Sequence, residues 1–140
     1  MIPIKNDNYG DVVEFHDKFG LNPGGPIDLL KNIDPEMLNF RYQFLVEECD
    51  EFLTAVAEND PAGALDAMID LVYVAMGNAI LMGVTPQLWQ RAWDEVQRAN
   101  MNKVRAEKAK DSKRGTTYDV VKPPGWTPPD IQKCIDEQEY

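Results

Sequence analysis

The stretch Asp60-Pro61-Ala62-Gly63-Ala64-Leu65-Asp66-Ala67-Met68-Ile69-Asp70-Leu71-Val72-Tyr73-Val74-Ala75-Met76 decides the class of fold. An aspartate before a proline is a helix-start signal. The carboxylate caps free N–H groups of the first turn, and proline, which has no N–H, is tolerated at the first helical position. Nothing after it alternates with period two, and from Leu65 to Met76 almost no polar side is left. A helix apolar nearly all round is covered on all sides, here by the rest of the chain and by a partner subunit. Asp66 and Asp70 nevertheless sit one turn apart within it.

Working outward, Asp34-Pro35 and Thr85-Pro86 repeat the signal. Together they predict helices over roughly Pro35–Asn59, Pro61–Met82 and Pro86–Ala109, preceded by one at about Asp7–Phe19. That first segment carries Val12, Phe15, His16 and Phe19 at helical spacing, and Gly20–Ile33 reads as a loop. The expected fold is all-α: a four-helix bundle over residues 1–110, assembled as a homo-oligomer. Residues 111–140 read as an irregular tail. Asp111–Gly115 is a turn, Thr117–Val121 a short extended piece, and Pro123–Pro129 cannot be helical. Trp126 and Ile131 favour a tail that packs on the bundle or closes over it as a lid.

The 140 residues suit one domain, and 44% hydrophobic with 27% charged residues argues against general disorder. A net charge of -10 excludes duplex nucleic acid as a natural partner, because that affinity rests on neutralising phosphates. The apolar run Leu71–Val84, broken by Gly77 and Asn78, reads as too short to cross a bilayer, and no cationic leader opens the sequence. The expectation is a cytoplasmic protein with no membrane partner. Cys49 and Cys134 are too few for a disulfide scaffold or a Cys-rich zinc site.

On the second helix Leu45, Phe52 and Val56 define the apolar stripe, extended by Phe44. Glu48 falls within it, Glu51 lies about 60° further round, and Glu47 sits beyond, toward the polar side. Arg41 is two turns before Glu48 and nearly in line with it. One reading pairs Glu48 with Arg41 and lets Asp70 cap or pair elsewhere. The other notes that acidic groups on consecutive helices, with a single arginine near them, are under-neutralised. Unpaired buried carboxylates cost several kcal/mol or more, and a hard divalent cation relieves that cost. Oxygen ligands without supporting Cys or His favour Mg²⁺, with Mn²⁺ able to substitute.

On the fourth helix Trp89, Trp93 and Val96 form the expected core stripe, and Asn100 and Lys103 continue its line. An amide and an ammonium there suit phosphate or sugar oxygens, or simply a solvated last turn. Lys103, Arg105, Lys108, Lys110, Lys113 and Arg114 make the one basic patch, six of the 14 basic residues. Metal-binding carboxylates and a basic patch together suggest a polyphosphate substrate. His16, the single histidine, reads as a core residue or a base contact, and Cys49 as a small buried filler rather than a nucleophile.

These residues resemble the MazG-like, all-α nucleoside triphosphate pyrophosphohydrolases, whose superfamily includes phosphoribosyl-ATP pyrophosphohydrolase and dimeric dUTPases. The superfamily pattern is E-E-x-x-E on one helix and E-x-x-D on the next. Glu47-Glu48-Cys49-Asp50-Glu51 matches the first half. In the second, Asp70 matches but Ala67 stands where Glu is expected, with Asp66 one position early. Val13-Glu14-Phe15-His16, Arg98-Ala99-Asn100-Met101-Asn102-Lys103 and Val121-Lys122-Pro123-Pro124-Gly125-Trp126 resemble segments of the small phage and actinobacterial MazG-like proteins.

The resemblance implies hydrolysis between the α- and β-phosphates of a nucleoside triphosphate, giving monophosphate and pyrophosphate, on a purine deoxynucleotide such as dGTP. It implies Mg²⁺ held by Glu48, Glu51 and Asp70 with Asp66 assisting, and Glu47 holding a second ion or orienting water. Lys103, Asn100, Lys113, Arg114 and Lys122 would stabilise the phosphates, with Arg41 also in the substrate site. Asn78 would read the sugar, and Phe15, Phe19, His16 and Trp126 would contact the base. It further implies a tetramer, a dimer of dimers, in preference to a dimer, in the cytoplasm (the host's if the gene is a phage's). Two rivals remain: a phosphoribosyl-ATP pyrophosphohydrolase-like enzyme, and a non-catalytic helical oligomerisation or adaptor protein.

Overall fold

A computed structural model of the chain describes residues 7–22 and 34–138. It is 66% helix, with five helices among the described residues, four of them long, which places the chain in the all-α class. Contacts divide it into two compact units, residues 1–86 and 87–139. The loop expected at Gly20–Ile33 lies outside the described residues beyond Asn22.

The first unit is built from α1 (Asn8–Lys18), α2 (Pro35–Ala57) and α3 (Pro61–Leu81), with α2 and α1 both packed on α3. The Asp-Pro signals work as read. Asp34 accepts from the Glu36 N–H at 3.0 Å and opens α2, and Asp60 accepts from the Gly63 N–H at 3.0 Å and opens α3. Asp7 does the same for α1 through the Gly10 N–H at 2.9 Å. Tyr9 pins α1 to the end of α3, its hydroxyl donating to the Val84 carbonyl at 2.7 Å.

The buried face of α3 is Ala67, Val74, Met76, Gly77 and Ile80, whereas Leu65, Ile69 and Val72 are exposed. On α2 the buried positions are Glu48 and Ala55, and Val56, expected in the core stripe, is exposed with Leu53. The inner positions thus mix the small Ala55, Ala67 and Gly77 with the bulkier Val74, Met76 and Ile80. The apolar run Leu71–Val84, read as too short to cross a bilayer, takes in only the second half of α3, and the whole helix is longer. Over its 21 residues, with a mean hydropathy of 1.5 in its most apolar window, it is long and apolar enough to cross one by length and composition alone. A single such helix is weak evidence of a membrane, since core helices of soluble proteins meet the same criteria.

The second unit holds α4 (Pro86–Met101), a two-stranded antiparallel ribbon of β1 (Val104–Arg105) and β2 (Val120–Val121), and the short α5 (Ile131–Asp136). Helix α4 stops at Met101, not Ala109. Val104 and Arg105 leave the helix to pair with Val121 and Val120, and the Ala106 N–H donates to the Asp119 carbonyl at 3.0 Å. Its buried residues are Leu88 and Ala99, so the expected Trp89–Trp93–Val96 core stripe is displaced, with Trp93 and Val96 exposed. The tail is ordered against α4. Trp126 Nε1 donates to the Ala99 carbonyl at 2.6 Å, and Arg98 holds Thr127 and the Pro128 carbonyl at 3.1 Å each.

Candidate functional site

Helical spacing sorts the acidic residues of α2 and α3 into two sets. Glu47, Asp50 and Glu51 face the same way as Gln43, Thr54 and Glu58. With Asp66 from α3 they line a cleft of about 630 Å³. Glu48 points instead toward α3 and is buried, and Asp70 is half-buried. Asp50 was not singled out as a candidate, although its i+3 spacing from Glu47 is the signal that finds it.

Glu48 is the most perturbed of the group. Burial, the contact with Glu51 and the negative charges of Glu51, Asp70 and Glu47 push its carboxyl up to about 7. The contact with Glu51 is a hydrogen bond only while one of the two carboxylates holds a proton. The second Glu48 oxygen, Oε2, is buried with no hydrogen-bond partner. Asp70 is raised as well, by burial first and then by Asp66 and Glu51.

Arg41 does not relieve this charge. Its Nε donates to Asn78 Oδ1 at 2.6 Å and its Nη2 to the Val74 carbonyl at 3.0 Å, while its head lies over the Phe44 ring. Of the two readings of Glu48, the pairing with Arg41 is not formed: Arg41 pairs with Asn78, which also engages the side chain expected to read a sugar. Among the described residues, the ion pairs are Arg91–Glu137, Arg98–Glu95 and Arg114–Asp119, none of them in the acidic group. Ala67, at the position where the superfamily pattern has Glu, is 1% exposed in the α2–α3 contact. A longer acidic side chain would be buried there, and the acid one position earlier, Asp66, reaches the cleft instead.

An all-oxygen donor set with an orphaned buried carboxylate oxygen fits a hard divalent cation. Among the described residues, however, no three His, Cys, Asp or Glu side chains converge closely enough to hold an ion as they stand.

His16 is 2% exposed, its Nδ1 has no partner, and burial followed by the charge of Arg41 lowers its pKa. The structure places it in the core of the first unit. Phe15 lies 4.8 Å from Phe19 and 5.4 Å from Tyr73, so this aromatic group packs on itself. Cys49 is exposed, contrary to the buried filler expected, and Cys134 is buried. In the second unit Arg114 is neutralised by Asp119 at 3.0 Å and is not a free cation. Asn100 and Lys113 are exposed, and Lys103 and Lys122 lie over the Trp126 ring.

Residues 28–100, just over half of the chain, match the family of phosphoribosyl-ATP pyrophosphohydrolase. The chain belongs to this family. It is therefore a member of the all-α MazG-like superfamily, and nucleotide pyrophosphohydrolase activity, hydrolysis of a phosphoric anhydride, is the activity the family carries. MazG-like pyrophosphohydrolases generally use divalent metals. The family match contains α2, α3 and all but the last residue of α4, with Glu47, Glu48, Asp50, Glu51, Asp66 and Asp70, and ends before the ribbon and the tail. A comparison with curated proteins finds no match.

Proposed function

We propose that the chain is a Mg²⁺-dependent nucleoside triphosphate pyrophosphohydrolase that cleaves between the α- and β-phosphates, with a purine deoxynucleotide such as dGTP as substrate. The observation that carries it is the buried, unpartnered Glu48 Oε2 among like charges that no described cation balances. In this reading Glu48, Glu51 and Asp70 hold the ion, and Asp66 stands in for the acid that Ala67 replaces. The ion, when bound, supplies Lewis acidity at the phosphoryl oxygens and acidifies water. Glu47, exposed on the cleft, would hold a second ion or orient the attacking water. Arg41 and Asn78 act on each other first, bracing α2 against α3 beneath the carboxylates.

The exposed rows Leu53 and Val56 on α2 and Leu65, Ile69 and Val72 on α3 support a homo-oligomer; that it is a tetramer in preference to a dimer, working in the cytoplasm, is part of the proposal. Light scattering behind a sizing column reads that state directly.

Phosphoribosyl-ATP is the second substrate reading, favoured by the description of the matching family. One plate decides between them: pyrophosphate release from the eight common NTPs and dNTPs and from phosphoribosyl-ATP, with Mg²⁺ or Mn²⁺ and with EDTA. Release from a deoxynucleotide supports the first reading and release from phosphoribosyl-ATP alone the second. Silence on every substrate overturns both and leaves the adaptor, which also requires that Mg²⁺ not raise the melting temperature.

A further inference from the structure

His16, the single histidine of the chain, is 2% exposed, and no other polar side chain among the described residues is buried so deeply. It stands on α1 with the Phe15 ring edge-on to it at 5.9 Å. Its Nδ1 is buried without a hydrogen-bond partner. Its Nε2 reaches Gly77 of α3: a Cβ on that glycine would lie 2.7 Å from Nε2 and 2.5 Å from Nη2 of Arg41, on α2. Imidazole and guanidinium thus enter, from two helices, the one gap that the missing side chain of the third leaves open.

Arg41 occupies that gap as a cation without a counter-ion. Its acceptors, Asn78 Oδ1 and the Val74 carbonyl, are both neutral, and none of the ion pairs among the described residues includes it. One such charge is tolerated because the guanidinium is half-buried and hydrogen-bonded. A second cation beside it, taken out of water with no partner, is not. Burial, and after it the charge of Arg41, hold the imidazole below its ordinary 6.5, while the Leu21 backbone and Asp17 act the other way and more weakly. Asp17 is exposed, and its carboxylate already accepts from Asn22 Nδ2 at 2.9 Å. From α3 the gap is bounded by the Gly77 backbone, and the nearby Tyr73 ring meets Phe15. The acids of α2 and α3 act on one another and are not among the groups that shift His16.

We propose that His16 is an acid-sensitive latch: neutral, it locks α1 into the gap beside Arg41; protonated, it becomes a second cation against the guanidinium and loosens α1 from the α2–α3 pair. Helix α1 is the element that yields, because it has 11 residues and packs on α3 less extensively than α2 does. Protonation at a buried histidine is a local charge change, and the docked helix is the element it biases. The sign follows from linkage. The unfolded chain takes up a proton near 6.5 and the folded chain resists it, so stability that is complete above 6.5 is lost as pH falls below that value. The raised carboxyl of Glu48 works in the opposite direction, gaining stability as pH falls through 7. The latch rests on packing and charge in the first unit and holds whatever the chain hydrolyses.

A single histidine makes the test direct: the one imidazole Hε1 resonance of the full chain is followed by NMR from pH 8 to pH 4.5. Its midpoint lies below 6.5, and as it titrates the amides of α1 lose exchange protection ahead of those of α3, after correction for the intrinsic pH dependence of exchange. Arg41→Gln removes the charge and keeps a side-chain donor, and it moves the midpoint upward. The lead in melting temperature of wild type over His16→Gln narrows as pH falls from 7.5 to 5, a difference in which the pull of Glu48 cancels. Where His16→Gln does not fold, the wild-type resonance and Arg41→Gln still decide. A midpoint at or above 6.5 overturns the proposal, as does a midpoint unmoved in Arg41→Gln. So does a melting-temperature lead that is constant with pH. Protection lost equally from α1 and α3 also overturns it, in favour of acid unfolding of the whole unit.

Discussion

Replacing Gly77 by alanine tests whether the contact that braces the acidic helices is as close as it looks. A Cβ at position 77 would lie 2.5 Å from Arg41 Nη2 and 2.7 Å from His16 Nε2, inside van der Waals contact with side chains of two other helices. His16 is fully buried and has no room to retreat. Arg41 can retreat only by releasing Asn78 and the Val74 carbonyl, at 2.6 and 3.0 Å. Alanine gains about 1 kcal/mol of helix propensity over glycine. Against that stand about 1–3 kcal/mol for overpacking a tight core and about 1.5–3 kcal/mol for each hydrogen bond lost from a charged donor. With both bonds released the net is a destabilisation of about 3–8 kcal/mol, and at roughly 3 °C per kcal/mol for a chain of this size the melting temperature falls by about 9–24 °C. Far-UV circular dichroism during thermal unfolding reads it. In an Arg41→Met background the penalty should shrink, because one of the two clashing groups is then absent. A Gly77→Ala protein that melts at or above the wild-type temperature refutes the reasoning: Arg41 would then move aside at no cost, with helix propensity deciding the sign.

Glu48→Gln keeps the size of the side chain and removes its charge, so the metal-free protein at pH 8 should melt no lower than wild type, while stabilisation by Mg²⁺ and nucleotide turnover are both lost; retained turnover would refute its place at the ion. The Glu48 carboxyl, raised to about 7 from an ordinary 4.5, contributes stability that is complete below pH 4.5 and is lost as pH climbs through 7. A cation needs the deprotonated form, so the rise in melting temperature on adding Mn²⁺ should grow from pH 5.5 to pH 8, and a rise independent of pH would place the ion elsewhere. Gly125→Ala, forced to keep a φ of +81° with a Cβ, should cost about 1 kcal/mol and alter Trp126 fluorescence without changing helical content; an unchanged emission spectrum would mean the turn does not set the ring.

The starts of the long helices were legible because their causes are local. An aspartate and a proline act within one turn, and α2 and α3 begin where Asp34 and Asp60 cap them. The end of α4 was not legible, because its cause is a pairing across sixteen or so residues: Val104 has nothing nearby that forbids a helix, and only Val121 draws it into a ribbon. The same contrast runs through the candidate site. Glu48 and Asp70 were found as acids on a face that should pack, a property of spacing alone. The partner of Arg41 was not legible because Asn78 lies on a different helix, and the direction of an arginine head depends on which acceptor is nearer in space.

Burial was the least legible property, for a reason that bears on function. Periodicity says that a helix has an apolar face, not what covers it. Trp93 and Val96 on α4, Val56 on α2 and Leu65, Ile69 and Val72 on α3 satisfy every pattern of a core position and remain exposed in the single chain. Small residues share the inner positions with a few larger ones: Ala55, Ala67 and Gly77 beside Val74, Met76 and Ile80 in the first unit, and Ala99 beside Leu88 on α4. That exchange has a direct consequence for the acidic group. With Ala67 and Gly77 in the α2–α3 contact the helices come close, Glu48 has no depth of apolar packing to retreat into, and its free oxygen faces other carboxylates rather than a cation from its own chain. An apolar core residue at 48 would remove the repulsion at no cost to a scaffold, so a purely structural role gives no physical reason for an acid at this position, whereas an ion that arrives from solution does.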